Sequence, residues 1–401
     1  MRVAVRRGVV RVLVGFVALV FCGLHGGAQV QEKMTPVLLK VEDWPVPFVG
    51  SDGRVHLVYE LWMTNFSSGD VAVEKVEVLG GAGELIERFD AAAIAGRLQA
   101  AGRREPAGTL APSTQALLFL HVTLAEGAVV PVRLSHRVTI HASAAPPGQQ
   151  DITESGGNVT LNRRAVASIG APLQGERYVS ADSCCDASRH TRAALPVNGR
   201  VWVAQRSAVD WEELDAQGRI YNGPQDKLES YTIFGKPVLA VADAVVVSVR
   251  DGLPEQTPGK YPTNISLDDA DGNSVILDLG ELRYAMYAHM QPGSIKVHKG
   301  DKVKVGQVIG LVGNTGNSVA PHLHFQVMDR PSSVASNGLP YEIKKFRVVG
   351  RTPGTRAFDE AEEKGTPLAV TPTSSGQQVE KALPLDQLVI SFGVNGVTGF
   401  N

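Results

Sequence analysis

Three cysteines in 401 residues are too few for a disulfide framework. Charge of one sign is lacking too: 39 Lys and Arg stand against 41 Asp and Glu, a formal net charge of −2. That balance gives no electrostatic case for a nucleic-acid partner. Beyond the first thirty residues no unbroken apolar run approaches about 18 residues, so no internal membrane span is expected. No repeat of solenoid period occurs either. What is present is ordinary globular composition, 43% hydrophobic and 20% charged. At roughly 150 residues per domain the length suggests two or three domains, each able to bury its own core.

The N-terminus reads as an export signal over 1–28. Arg2, Arg6, Arg7 and Arg11 precede the apolar run VLVGFVALVFCGL, and Gly26-Gly27-Ala28 supplies small residues for cleavage. Phe21 before Cys22 is bulky where a lipoprotein signal wants a small residue. Cleavage after Ala28 leaves 35 basic against 41 acidic residues, and no membrane span is expected after signal removal. The expected location is periplasmic or extracellular. Cys184 and Cys185 remain. Neighbouring cysteines bridge each other only with strain, so two free loop thiols are the expectation, with an intermolecular bond or metal ligation as alternatives.

The chain reads as mainly β. Residues 29–142 carry HLVYELWMTNF, VAVEKVEVL, ALLFLHVTL and VRLSHRVTIHA, strand-like runs separated by Gly/Ser/Asp turns. They suggest an immunoglobulin-like β-sandwich, with one short helix in the Ala-rich stretch 89–103. His56, His121, His136 and His141 lie there at no metal-ligand spacing and read as surface or packing histidines. Residues 143–165 read as a Pro/Gly/polar linker. Residues 166–350 give a second, nearly all-β domain of short Val-rich strands joined by Gly turns. Residues 351–401 read as a polar, largely flexible tail, with a terminal strand possible within 385–394.

Five histidines fall in the second domain, at 190, 289, 298, 322 and 324. His322-Leu323-His324 sits in the strand pattern PHLHFQV, where residues i and i+2 share a face and Leu323 and Phe325 take the other. His289 lies in MYAHM, and Asp210 follows the apolar stretch VWVAQRSAVDW. Imidazoles and a carboxylate on strands of one sheet suit zinc, which takes N and O donors tetrahedrally. The tight loop Gly313-Asn314-Thr315-Gly316-Asn317-Ser318 would let a substrate backbone approach that face. His298, in the charged turn VHKGDKV, reads as solvent-exposed.

FGKPVLAVADAVVV, YAHM, VHKGDKVKVGQ and GQVIGLVGNTGNSVAPHLHFQV, in that order over about 200–330, resemble the lysostaphin/LytM-type zinc endopeptidases. Members of that family have the duplicated hybrid motif fold and cut peptidoglycan cross-links. The resemblance implies a LytM-type metallopeptidase domain, one zinc ion and a peptidoglycan peptide substrate, and leaves a protein partner for the N-terminal sandwich open. Residue by residue, it makes Asp210 and His324 zinc ligands and His289 and His322 the catalytic pair. One position departs. Where the family has its first His ligand, four residues before Asp210, this chain has Arg206, which cannot donate a lone pair to a metal.

Two readings follow. In the first, another residue supplies the ligand, His190 in SRHTR being the best candidate and Cys184 and Cys185 the thiolate alternatives. The chain is then an exported zinc endopeptidase, acting on the cell wall or, less in keeping with the resemblance, on ordinary exported proteins. In the second, Arg206 pairs with Asp210 and closes the site, and the domain is an inactive cell-wall binding or hydrolase-activator module.

Overall fold

The stretch VRLSHRVTIHA forms the strand Arg133–Ala142, in which Leu134, His136, Val138, Ile140 and Ala142 are buried and the residues between them are more exposed. That period of two marks a strand with one face on a core. The structure, a computed structural model, describes residues 33–103, 107–186 and 188–393. The expected export signal at 1–28, with Cys22, lies outside the described residues.

From Pro36 onward the described residues form one unit. Its first part is two five-stranded antiparallel sheets. One runs Val37–Lys40, Val55–Asn65, Gln115–Thr123, Leu98–Ala100, with Phe48–Val49 beside the second strand. The other runs Asp151–Thr160, Arg133–Ala142, Val71–Gly80, Leu85–Asp90, with Thr109–Leu110 beside Val71–Gly80. Leu57, Tyr59, Leu61, Val76, Leu118 and Ile140 belong to the core they share.

The strand Val55–Asn65 is buried on both faces. Leu57, Tyr59, Leu61 and Met63 enter the sandwich core. The alternate residues meet the second part of the chain: Val58 packs on its core, Glu60 pairs with Arg206, and Trp62 joins Leu117 and Phe119 against Ala194 and Val201. The sandwich face bearing Trp62 is therefore covered by this chain's own hairpin, Ala194–Val197 with Arg200–Val203.

The second part is built on a twelve-stranded sheet. Its central order is Tyr341–Arg351, Leu388–Ser391, Tyr178–Ala181, Val209–Glu213, Leu323–Met328, Arg283–Met290, Asn273–Gly280, Ala244–Arg250. Among the described residues no helix is long and apolar enough to cross a membrane.

Several expectations are corrected. The helix in 89–103 is only Ala91–Ala95, N-capped by Asp90, and Leu98–Ala100 instead pairs as a strand with Gln115–Thr123. The expected linker contains the ten-residue strand Asp151–Thr160, paired along Arg133–Ala142. Its glycines read as flexible, yet Gly157 has a left-handed φ of 59° and lies so close to His136 that a Cβ there would sit 2.9 Å from the ring nitrogen. The tail expected to be flexible holds the helix Thr355–Lys364 and the strands Thr371–Ala382 and Leu388–Ser391. Pairing with Tyr341–Arg351 orders this polar segment, because ladder hydrogen bonds do not depend on side-chain polarity. Cys184 and Cys185 are joined in a disulfide rather than left as free thiols, in a buried loop whose Cys184 carbonyl accepts from the Asp386 amide.

Candidate metal centre

Three neighbouring strands set the site in register. Asp210 stands opposite His324, and His324 opposite Ala288. Leu323 and Phe325 turn into the core with Val209, Trp211 and Tyr287, so Asp210 and His324 share the other face. His322 directly precedes its strand and reaches the same place, its Nε2 lying 3.5 Å from Asp210 Oδ1.

Simple alternation would send His289 into the core beside Tyr287. Its φ of 60° breaks the alternation. The imidazole turns to the site, its ring centre 4.7 Å from that of His322 and 5.9 Å from that of His324, while Met290 falls back into the core. A non-glycine residue in the left-handed region costs on the order of 1 kcal/mol or more, a price usually met at functional positions.

The position where the resemblance expects a ligand does not face the site. Residues 204–207 form a turn rather than a continuing strand, so Arg206 is not held to the face of Asp210. It is buried, and its guanidinium forms a two-point pair with Glu60: Nε to Oε1 at 2.9 Å and Nη2 to Oε2 at 2.7 Å. Nη1 donates to the Gly338 carbonyl at 3.1 Å, and Asp43 lies 3.7 Å away. The turn packs so tightly on residue 338 that a Cβ there would meet Ala204 O at 2.6 Å, which only glycine avoids. The expected Arg206–Asp210 salt bridge does not form.

His190 comes to the site instead, on the one-turn helix Ser188–Thr191. Its Nδ1 donates to the Asp182 carbonyl at 2.8 Å, which turns Nε2 to within 3.3 Å of Asp210 Oδ2. Arg189 beside it binds Asp182 and Asp359, the latter on the helix Thr355–Lys364. His324 presents Nδ1 to Asp210 Oδ1 at 2.9 Å, with its Nε2 held by Gln326 Oε1 at 2.9 Å. Donor atoms of His190, Asp210 and His324 all lie within 4.8 Å of one another.

Charge and hydrogen bonding fit this set to a cation. Burial opposes ionisation of Asp210, but His190, His322 and His324 hold its carboxyl well below the usual range. Burial also opposes charging His190; the Asp210 carboxylate overcomes it and raises the imidazole to about 9. Burial first, then the neighbouring rings of His322 and His324, lower His289 well below its ordinary value. His289 Nδ1 bonds Thr315 O at 2.7 Å, and His322 Nδ1 bonds Ala320 O at 2.8 Å with Ser318 Oγ at 3.2 Å. Both rings thus turn Nε2 to the site, and that of His322 is buried without a hydrogen-bond partner. Two imidazoles whose outer nitrogens are already engaged, with a carboxylate between them, form a donor set of the kind zinc takes.

Five of the sequence-derived candidates, His190, Asp210, His289, His322 and His324, therefore meet. His298 lies apart on the surface beside Asp301. The loop 313–318 serves otherwise than expected: it is largely buried, and Gly316 backs onto Gly272 so closely that a Cβ would lie 2.3 Å from its nitrogen. Its work is to hold the two catalytic candidates through Thr315 and Ser318. Gln326 was missed although its period-two spacing from His324 places it on the site face. Asp182 holds His190 through its backbone carbonyl, which leaves no signal in the sequence.

Residues 230–336, which carry His289, His322 and His324, match the model of peptidase family M23. The chain carries an M23 peptidase domain. The peptidoglycan DD-endopeptidase ShyA of Vibrio cholerae is 35% identical over 108 residues, 26% of this chain and 21% of that protein. Lysostaphin of Staphylococcus staphylolyticus is 44% identical over 69 residues, 17% of this chain and 14% of its own length. The chain thus spans about a fifth or less of those two relatives. Among solved structures, the catalytic domain of lysostaphin from Staphylococcus simulans aligns with 41% of this chain and 86% of its own, at 24% identity and a TM-score of 0.22. Asp210 and His190 lie N-terminal to the matched M23 segment.

Proposed function

We propose that this chain is an exported zinc-dependent endopeptidase that hydrolyses peptide bonds in peptidoglycan cross-links, in the periplasm or outside the cell. The convergence of His190, Asp210 and His324 carries the reading: a third ligand is available although Arg206 stands at the family's usual position. The names of ShyA and of the glycyl-glycine endopeptidase ALE-1 from Staphylococcus capitis, 36% identical over 109 residues, support a cell-wall peptide as substrate. The N-terminal sandwich, read as immunoglobulin-like, presents the M23 domain and leaves room for a protein partner.

His190 through Nε2, His324 through Nδ1 and Asp210 through its carboxylate would hold the ion. Zinc bound there supplies Lewis acidity towards a scissile carbonyl and towards water. His289 and His322 do the rest with their free Nε2 atoms. His289, kept neutral by burial, can accept a proton at Nε2 while Nδ1–H stays on Thr315 O. His322 Nε2 can donate to or stabilise a developing oxyanion once protonated, its ring fixed by Ala320 and Ser318. Each ring is oriented by its outer nitrogen, so neither needs to reorganise during turnover.

The test is release of soluble fragments from isolated sacculi by the purified chain, with and without a chelator, beside denatured protein as an alternative substrate. Chelator-sensitive release from sacculi alone is expected. Cleavage of denatured protein but not sacculi would move the substrate class to ordinary exported proteins. No cleavage of either by a chain shown to hold zinc would leave a binding or activator module.

A further inference from the structure

Two of the four sandwich histidines, none of which the site above uses, face each other. His56 and His121 lie on neighbouring strands, on the outward face that meets the second part of the chain. His56 Nδ1 and His121 Nε2 are 2.9 Å apart, with ring planes 24° apart and ring centres 5.2 Å apart. The rings therefore meet edge to edge. Each outer nitrogen is claimed by a carboxylate: His56 Nε2 by Asp52 Oδ1 at 2.9 Å, His121 Nδ1 by Asp186 Oδ2 at 3.0 Å.

A carboxylate only accepts, so each outer nitrogen carries its ring's hydrogen, and a neutral imidazole has just one. The two inner nitrogens then present lone pairs to each other at contact distance. Thr123 Oγ1, 3.4 and 3.3 Å away, can donate its one proton to only one of them. A cation between the rings resolves the conflict, either a shared proton or a metal ion. Carboxylates on the outer nitrogens of paired histidines are the usual support of imidazole metal ligands. Cys185 supplies a third donor: its sulfur and one ring nitrogen of each histidine lie within 4.8 Å of one another. In the structure that sulfur is bonded to Cys184 and is no thiolate.

We propose that His56, His121 and Cys185 form a second metal site, suited to zinc, that the Cys184–Cys185 disulfide closes and its reduction opens. A dithiol reductant passes two electrons and two protons to the disulfide and leaves as its own disulfide, freeing both cysteines as thiols. Metal binding then expels the Cys185 proton, and any proton between the rings, to solvent. Tetrahedral zinc holds two imidazole nitrogens roughly 3.3 Å apart, so the inner nitrogens part by a few tenths of an ångström and the rings turn until both lone pairs converge on the ion. The site would tie the sandwich to the loop that runs on to His190. It does not depend on the endopeptidase reading.

Cobalt(II) titration tests it, because a thiolate ligand gives a sulfur-to-cobalt absorption in the near ultraviolet and the set His190, Asp210, His324 contains no sulfur. The metal-free chain is used in a Cys22→Ser background so that no third thiol contributes. The oxidised chain is expected to show no such band. After reduction, verified by a gain of two thiols, the band should rise and saturate at one equivalent. Cys184→Ser should show it without reductant, and Cys185→Ser not at all. Asp52→Asn should weaken binding about 10- to 100-fold. Absence of the band in both the reduced chain and Cys184→Ser overturns the proposal. So does a band undiminished in His56→Ala or in His121→Gln, whose ring is the less buried of the two.

Discussion

Arg206 and Glu60, 146 residues apart, form a buried two-point ion pair that joins the M23-bearing part of the chain to the sandwich. The arginine at the position where the resemblance expects a ligand is therefore a structural residue of an internal interface. Glu60→Ala leaves a buried guanidinium with the Gly338 carbonyl and the more distant carboxylates of Asp43 and Asp329, and should cost about 3–5 kcal/mol. Replacing both partners with apolar residues, Arg206→Met with Glu60→Leu, should be far milder. Denaturant melts of the two variants beside the parent check this; equal losses in the single and the double variant would contradict it. Arg206→His should leave zinc stoichiometry unchanged, since the side chain at 206 points at Glu60 rather than Asp210.

The proposed division between ligands and proton-handling residues makes a second prediction. His190→Ala, Asp210→Ala and His324→Ala should each lose zinc together with activity. His289→Ala and His322→Ala should keep the metal and lose about 10²- to 10⁴-fold in turnover, the range for general acid–base groups. Elemental mass spectrometry of the purified chains, alongside sacculus release, separates the two classes. Full zinc in His190→Ala would remove His190 from the ligand set.

The partners behind the ligands should matter nearly as much. Gln326→Leu removes the acceptor that holds His324 Nε2, and Arg189→Ala cuts the loop carrying His190 from Asp182 and Asp359. Each should weaken zinc about 10- to 100-fold without emptying the site at saturating metal. Competition with a chromogenic chelator measures the affinity, and an unchanged constant in both variants would argue against this support.

What the sequence disclosed follows the reach of its local rules. The period of two in PHLHFQV correctly sends Leu323 and Phe325 to the core and His324 to the other face. The same rule fails at Arg206, because the chain leaves the strand at 204–207, and at His289, because a left-handed backbone reverses its direction. Nothing local could reveal that Glu60 receives Arg206. Composition misleads at 151–160 and 371–382, where polar residues pair along neighbouring strands that sequence order does not announce. The C-terminal segment read as a flexible tail supplies Asp359 and Asp386, which pin the loop bearing His190.

Acid sensitivity should trace in part to His136, far from the metal centre. Its ring is fully buried, with Nδ1–H on the Gly157 carbonyl at 3.1 Å and Nε2 accepting from Tyr59 Oη at 2.8 Å. Burial lowers its pKa to about 4, against hydrogen bonds to Gly156 and Gly157 that favour the charged ring. The unfolded chain, with an ordinary histidine near 6.5, thus binds more protons between those values. Its contribution to stability is complete above about pH 6.5 and is lost as pH falls towards 4, by roughly 3 kcal/mol over the window. His136→Gln should be less stable than the parent at pH 7, having lost a well-fitted hydrogen-bonding ring, by about 1 kcal/mol. It should nonetheless lose less than the parent between pH 7 and pH 4. Unfolding free energies at both pH values decide the matter: parallel losses in parent and variant would show that His136 does not titrate as its burial requires.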